Sequence, residues 1–584
     1  MGLMTRTLLS VLALGLLAGA VLVSPSQAPV RAQAVPAAPV KTLRIPFDGA
    51  GWGMDPHLER TGEAFRFLGL VYEGLYTWVP GPQPQVAPCL AEDFPAISDD
   101  KLTYTFKIRA GVKYHANSCF GEAGTRELKA ADFVDGFKRL MAKSDGSNGM
   151  GWMMARLVVG LDGYAASRRG SRAVIADDEE IEGLKAPDDR TLVMKLTRPC
   201  ATFVQMLAHG AFCPMPREFI RENRLATRTC GTGPYRLAAY SRDLIYVVEA
   251  NETYWGEAPG YGRITFAMDA SYRSLTGGLR SGKYGEITLY SNWQSDLVSD
   301  GKLTGSLQGA TAEPVKVHGN GYFFAAFNME DPLWGALDAD GSALRRAVAL
   351  ALNRQHILDA FGQPAEYLGA YPELYPPGME FGDTDDDLKF GAHDIKEARK
   401  VLDGSKYKGG KDPATGKPLV LSALFPDEDR FYQVLAEELK DALQQLGIEL
   451  DANYTESDYR DMYQDCDEQL YVAAWFLDYP GAHNYLQLFW SGHAGIPDEF
   501  QNNSRYRSEE FDKLYTEFEA LLPTTANAAK RRELVRKQAE VLARHQPIIP
   551  LVISHTHVIR RTDVQFGQVD STTHMDLRFA KPKE

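Results

Sequence analysis

The sequence predicts an α/β fold, and three observations carry that prediction. Stretches with the two-residue period of a strand and stretches with the roughly 3.6-residue period of a helix are mixed along the whole chain. Apolar side chains make up 44 % and charged ones 24 % of the 584 residues, the balance of a globular protein with a large core. Loops rich in Gly, Asp and Lys, such as 403–417, separate the elements, and no short repeat interrupts the pattern.

The elements follow in chain order. Lys41 to Pro46 reads as the first strand, after an Ala/Pro/Val-rich tail at 35–40. From Thr103 to Arg109 the chain alternates, with Tyr104, Phe106 and Ile108 facing one way, and Gly111 ends the strand. Leu244 to Val248 is a second β-prone run. Ser342 is placed to cap a helix carrying Leu344, Ala347, Val348, Ala351 and Leu352 on one face, stopped by Gly362 and Pro364. A further helix aligns Leu435, Leu439, Leu443 and Leu446 and ends at Gly447, and a strand follows at Ile448 to Ala452. The last helix spans Asn527 to Arg544 and leads into an apolar strand from Pro547 to Leu551.

The N-terminus has the three-part pattern of an export signal. Met1 to Arg6 carries one positive charge, an apolar run extends from Leu8 to Val23, and Ala32-Gln33-Ala34 supplies small residues at a cleavage site. Residues 1–34 are therefore expected to be a cleaved signal peptide; an uncleaved anchor is the alternative. No Cys follows the run, so lipid attachment is not expected, and the mature chain is placed in the periplasm. The net charge of −14 disfavours nucleic acid and anionic membrane surfaces. Six cysteines, Cys89, Cys119, Cys200, Cys213, Cys230 and Cys466, suit an oxidising compartment, and Cys89–Cys119 and Cys200–Cys213 are the expected bridges.

Catalytic and metal motifs are missing. There is no Gly-x-Ser-x-Gly and no His-Glu-x-x-His. In the Gly409 to Lys417 run the glycines are spaced wrongly for a phosphate loop and Pro418 takes the Ser/Thr place, so it reads as a polar turn. Asp383 to Asp387 lacks the Gly and Glu that a calcium loop needs. His555 and His557 have no visible third ligand and read as surface histidines. No cofactor is expected.

Several segments, taken in order, carry a resemblance. They are Met54-Asp55-Pro56-His57-Leu58, Val71-Tyr72-Glu73-Gly74-Leu75, Leu90-Ala91-Glu92-Asp93 and Leu102 to His115. Next come Ala130-Ala131-Asp132-Phe133-Val134, Gly231-Thr232-Gly233-Pro234-Tyr235, Tyr254-Trp255, Leu344 to Asn353 and Ala474 to Pro480. Pro547 to Leu551 closes the series. Together they resemble the family 5 extracellular solute-binding proteins, receptors of ABC importers for dipeptides, oligopeptides and nickel. The resemblance implies a two-lobed, periplasmic-binding-protein-like (type II) fold with a hinge. It implies lobe I from 35–78, 206–318 and 547–584, an inserted subdomain at 79–205, and lobe II at 319–546.

The same resemblance implies a non-enzymatic receptor, expected to be monomeric. It would close on a peptide and hand it to membrane permease subunits. In peptide-binding members, the acid matching Asp478 holds the ligand's α-ammonium group; on residue chemistry alone, Asp478 equally caps a loop or pairs with an Arg. Trp475 and Tyr479 flank that acid, and Trp52 and Trp152 are further wall candidates, with core packing the alternative for all four. His483 stands where many relatives have an acid, and Glu286 where an Asp is usual. Two other readings are a receptor for a non-peptide ligand (an oligosaccharide, a nickel complex or haem) and a secreted hydrolase built on paired carboxylates.

Overall fold

The computed structural model describes residues 41–47, 52–79, 84–143, 149–168, 178–242, 244–289, 294–361, 368–370, 374, 390, 392–426, 430–455, 468–494, 501–567 and 576–583. The signal segment 1–34, the acidic run 383–387 and Cys466 lie outside the described residues. Among these residues no helix is long and apolar enough to cross a membrane.

Thr42–Phe47 is the first strand, and it lies parallel to Arg263–Met268 in a four-stranded sheet completed by Ile245–Ala250 and Tyr235–Ser241. Leu43, Ile45 and Phe47 alternate inward, as the strand period demands. A second four-stranded sheet is antiparallel and contains Thr103–Lys107, Thr191–Lys195, Leu184–Asp188 and Ala96–Ile97. Its Tyr104, Phe106 and Ile108 are buried, the face read from the sequence. One core joins both sheets, from Leu43 to Phe266, and the chain returns to it at Val564, Leu577 and Ala580.

The largest sheet among the described residues has seven strands, and its spine is a pair of long antiparallel strands, Ala312–Phe327 and Ile548–Arg561. Their inner ends separate two cores by side-chain alternation. Tyr322, Phe324 and Ala326 point into one, whereas Ala325 and Phe327 point into the other, with Phe323 half-buried against it. Helix Arg430–Leu446 covers the second face with Leu435, Leu439, Leu443 and Leu446. Helix Ala528–His545 covers the first with Leu534, Val535, Ala539 and Leu542. The result is a three-layer α/β/α half in which a central sheet is covered on both sides.

The outer ends of the two long strands leave this half. Ala312 to His318 pair with Arg561 to His555, and Glu286–Leu289 joins the same ladder on its far side. Between His318 and Tyr322 the register shifts, so that residues 319–321 of one strand oppose only residue 554 of the other. A second shift follows at Phe323/Phe324, where the partner is Pro550, a residue with no N–H for the ladder. Bulges bend and twist a strand pair, so these two strands form the hinge. The sequence reading ended the last strand at Leu551; the structure carries it on to Arg561.

One helix differs from its expected bounds. It runs from Ala339 to Ala351 and is capped by Asp338, whose Oδ1 accepts the Gly341 N–H at 2.7 Å. Ser342 lies inside the first turn, and the chain breaks at Leu352 before a separate helix, Arg354–Phe361.

Candidate functional site

Strand Leu470–Phe476 pairs with the hinge strand, setting Phe476 opposite Gly321 and Trp475 opposite Tyr322. The chain leaves the sheet there and places Leu477, Asp478 and Tyr479 beside the hinge. Gly481 takes φ 133°, a turn open to glycine, and the short helix His483–Leu486 begins just after it.

Asp478 is half-buried as a residue, but its Oδ2 is sealed from solvent and has no hydrogen-bond partner of good geometry among the described residues, although the Asn484 side chain is near enough to favour the charged form. Burial pushes its carboxyl up to about 7, against the opposing pull of Arg60 and Asn484. A buried oxygen with a spare lone pair is costly unless something arrives to satisfy it. Trp475 is fixed beside it, because its indole N–H donates to Asn484 Oδ1 at 2.6 Å. The other face of Trp475 meets Trp152 edge-on, with ring centroids 5.8 Å apart. That contact joins the antiparallel-sheet half to the hinge-sheet half.

A polar chain crosses at the same place. The Tyr479 hydroxyl meets His483 Nδ1 at 3.0 Å, and His483 Nε2 lies 3.0 Å from both the Tyr515 hydroxyl and Glu519 Oε1. Arg198, from the other half, donates to Glu519 Oε2 at 3.1 Å and lays its guanidinium over Trp490, 4.5 Å from the ring centre. Burial works against ionisation of Glu519, yet His483 and Arg198 outweigh it and hold the carboxyl at about 2. Lys101 adds a hydrogen bond to the Ala520 carbonyl at 2.6 Å. A cavity of about 180 Å³ opens beside this chain, lined by Trp152, Met153, Arg198, Gln487, Trp490 and Tyr515 among others. It is large enough for one ring-sized group.

The structure thus brings Asp478, Trp475 and Trp152 together where the two halves meet. Tyr479 is close in sequence but fully buried, and it enters the core of the first half. Trp52 lies elsewhere: it packs in an aromatic cluster with Phe47, Tyr246 and Phe266, and its carbonyl accepts the Tyr246 hydroxyl at 2.7 Å. Its place is core, because the sheet under it needed a large apolar lid.

Other sequence expectations move as well. Glu286 is 1 % exposed and held between Arg66 and Arg560, each at 2.6 Å, so it anchors the outer end of the hinge. His557 is buried on the hinge strand rather than at the surface. The Gly409–Lys417 segment is a polar turn in which Asp412 accepts the Ala414 and Thr415 N–H groups. Neither expected disulfide is formed, since Cys89, Cys119, Cys200 and Cys213 are free thiols. Cys89 faces Glu73, Cys200 faces Thr202 and Cys213 faces His57, so the folded chain separates the proposed partners.

Sequence reasoning missed Arg198, Glu519 and Trp490. Arg198 and Glu519 are 321 positions apart, and neither lies in a motif. The one available signal was His483, whose departure from the relatives' acid marks the residue that now contacts Glu519.

Residues 85–495 match the family model described as bacterial extracellular solute-binding proteins, family 5 Middle. The dipeptide-binding protein of Escherichia coli is 25 % identical over 544 residues, covering 91 % of this chain and 92 % of that protein. Among solved structures, HbpA2 from Haemophilus parasuis superposes with a TM-score of 0.72 at 18 % identity, over 93 % of this chain and 100 % of that one. DppA from Helicobacter pylori, in complex with the peptide STSA, gives 0.65 at 19 % identity, over 93 % and 99 %.

Proposed function

This chain belongs to family 5 of the bacterial extracellular solute-binding proteins, and from that premise we propose that it captures a peptide between its two halves for an ABC importer. The family consists of receptors rather than enzymes, so the ligand is bound and passed on unchanged. The observation that carries the peptide reading is the sealed, unpartnered Oδ2 of Asp478. A peptide's α-ammonium supplies the missing donor and a full opposite charge, a pairing that gains strength where water is excluded. The ring-sized cavity and the Trp152–Trp475 wall give the ligand's side chains apolar surface. Relatives named for dipeptides and for a bound tetrapeptide support the same ligand class.

Lobe I at 35–78, 206–318 and 547–584, the inserted subdomain at 79–205 and lobe II at 319–546 are the units we assign to closure. The bulged hinge between His318 and Tyr322 supports the junction at 319. Export by the signal at 1–34, periplasmic location, action as a monomer and docking on permease subunits complete the reading.

Calorimetry with a di- or tripeptide library tests it. Asp478→Asn removes the negative charge while preserving shape, and is expected to cost about 2–5 kcal/mol of peptide affinity. Its circular dichroism spectrum should match that of the unaltered chain. Equal affinity in both proteins would remove Asp478 from the site.

A further inference from the structure

Two of the five described thiols share one place in the fold. Cys119 opens a short 3-10 helix, Ser118–Ala123, where Asn117 Oδ1 accepts its N–H at 3.1 Å. Cys230 lies in the loop that enters strand Tyr235–Ser241. Three hydrogen bonds zip these segments together around the cysteines. The His115 N–H donates to the Gly231 carbonyl at 2.8 Å, Asn117 Nδ2 to the Thr229 carbonyl at 3.1 Å, and Arg228 Nη1 to Ser118 Oγ at 3.1 Å.

The loop behind Cys230 is also fixed. A Cβ on Gly231 would stand 1.9 Å from the Val71 carbonyl oxygen, so this backbone is pressed against its neighbour with no room to shift. Cys230 is fully buried and Cys119 is half-buried. The two thiols act on each other: the neighbouring Cys230 draws Cys119 down from its usual value, whereas burial above all pushes Cys230 up. Among the described residues, Cys89, Cys200 and Cys213 have no such thiol beside them, and each faces an oxygen or a nitrogen instead.

We infer that Cys119 and Cys230 are a redox modification site, joined as a disulfide outside the cytoplasm and stapling two segments 111 residues apart in sequence. The geometry is prepared for it: the three hydrogen bonds hold the two cysteine-bearing segments side by side, which is what a cross-link between them requires. The roles divide by exposure. The Cys119 thiolate, the accessible sulfur, attacks a disulfide oxidant such as oxidised glutathione; the oxidant's S–S bond breaks and one half leaves as a thiol after taking up a proton. Cys230 then gives up its proton and attacks the Cys119 sulfur, releasing the second half as a thiol. Two protein thiols are oxidised, and one disulfide is reduced to two thiols. A cross-link closing so long a loop restricts the unfolded chain more than the folded one.

Peptide mapping of the full chain tests the inference. The purified protein is incubated in an oxidising glutathione buffer, alkylated under denaturing, non-reducing conditions and digested. The expected result is one Cys119–Cys230 linked peptide, with Cys89, Cys200 and Cys213 alkylated. Alkylation of both Cys119 and Cys230, or a bond from either to another cysteine including Cys466, overturns it. Thermal melting gives an independent readout: dithiothreitol should lower the midpoint of the oxidised chain and leave the Cys119→Ser/Cys230→Ser variant unmoved. Equal shifts in the two proteins contradict the staple.

Discussion

A carboxyl held near neutrality inside a protein is a reservoir of unspent interaction, and Asp478 is in that position. Its folded value of about 7 lies above the usual 3.8. The ligand-free fold therefore binds the proton more tightly than the unfolded chain does, and this group's contribution to stability falls as pH climbs from about 4 to 7. On the proposed reading, capture of an ammonium ionises it. Between pH 5 and 7 binding should expel a proton, and peptide affinity should rise by up to about tenfold per pH unit before levelling off. Calorimetry in buffers of different ionisation enthalpy reads that proton directly, and Asp478→Asn should release none. Asp478 and Trp475 could be named together from the sequence because they sit in one short segment. For Trp52 the sequence left wall and core open, because an aromatic beside a strand looks alike whether it faces a ligand or a core; the deciding neighbours, Tyr246 and Phe266, are about 200 positions away.

Elements that carry their own period were read well, and those defined by a distant partner were not. Helix Arg430–Leu446 and strand Thr103–Lys107 appeared within a residue or a few of their expected bounds, because apolar spacing alone specifies them. The hinge was invisible, since its register shifts exist only once Ala312–Phe327 and Ile548–Arg561 are paired. The bridge from Arg198 to helix Glu509–Glu519 belongs to the same class. Glu519 sits at about 2, below its usual 4.5, so its stabilising contribution is complete above pH 4.5 and is lost as pH falls from there towards 2. Glu519→Gln should flatten that part of an acid-unfolding curve. At pH 7 it should cost about 3 kcal/mol, because Arg198 and His483 lose their buried partner. Urea titrations of the two proteins at pH 3 and pH 7 check both signs; an unchanged acid limb would mean that Glu519 is not ionised in the fold.

Across the whole molecule, two halves with separate cores meet through a few side chains and share a bent pair of strands. A bent strand pair is the kind of joint about which two separately packed halves can turn. A ligand that touches both halves stabilises the closed arrangement by as much as it prefers it. Composition and periodicity established the α/β class, and the ordered motifs pointed to the two-lobed receptor. The peptide ligand and Asp478 came from the family resemblance; what the structure added is that Trp475 meets Trp152 across the junction. The central claim is that a peptide is held there and left intact. Mass spectrometry of small molecules released by denaturing the purified chain tests it most directly. The account predicts intact peptides with free amino termini, recovered unchanged after incubation with the protein; a sugar, a metal chelate or cleaved fragments of an added peptide would contradict it.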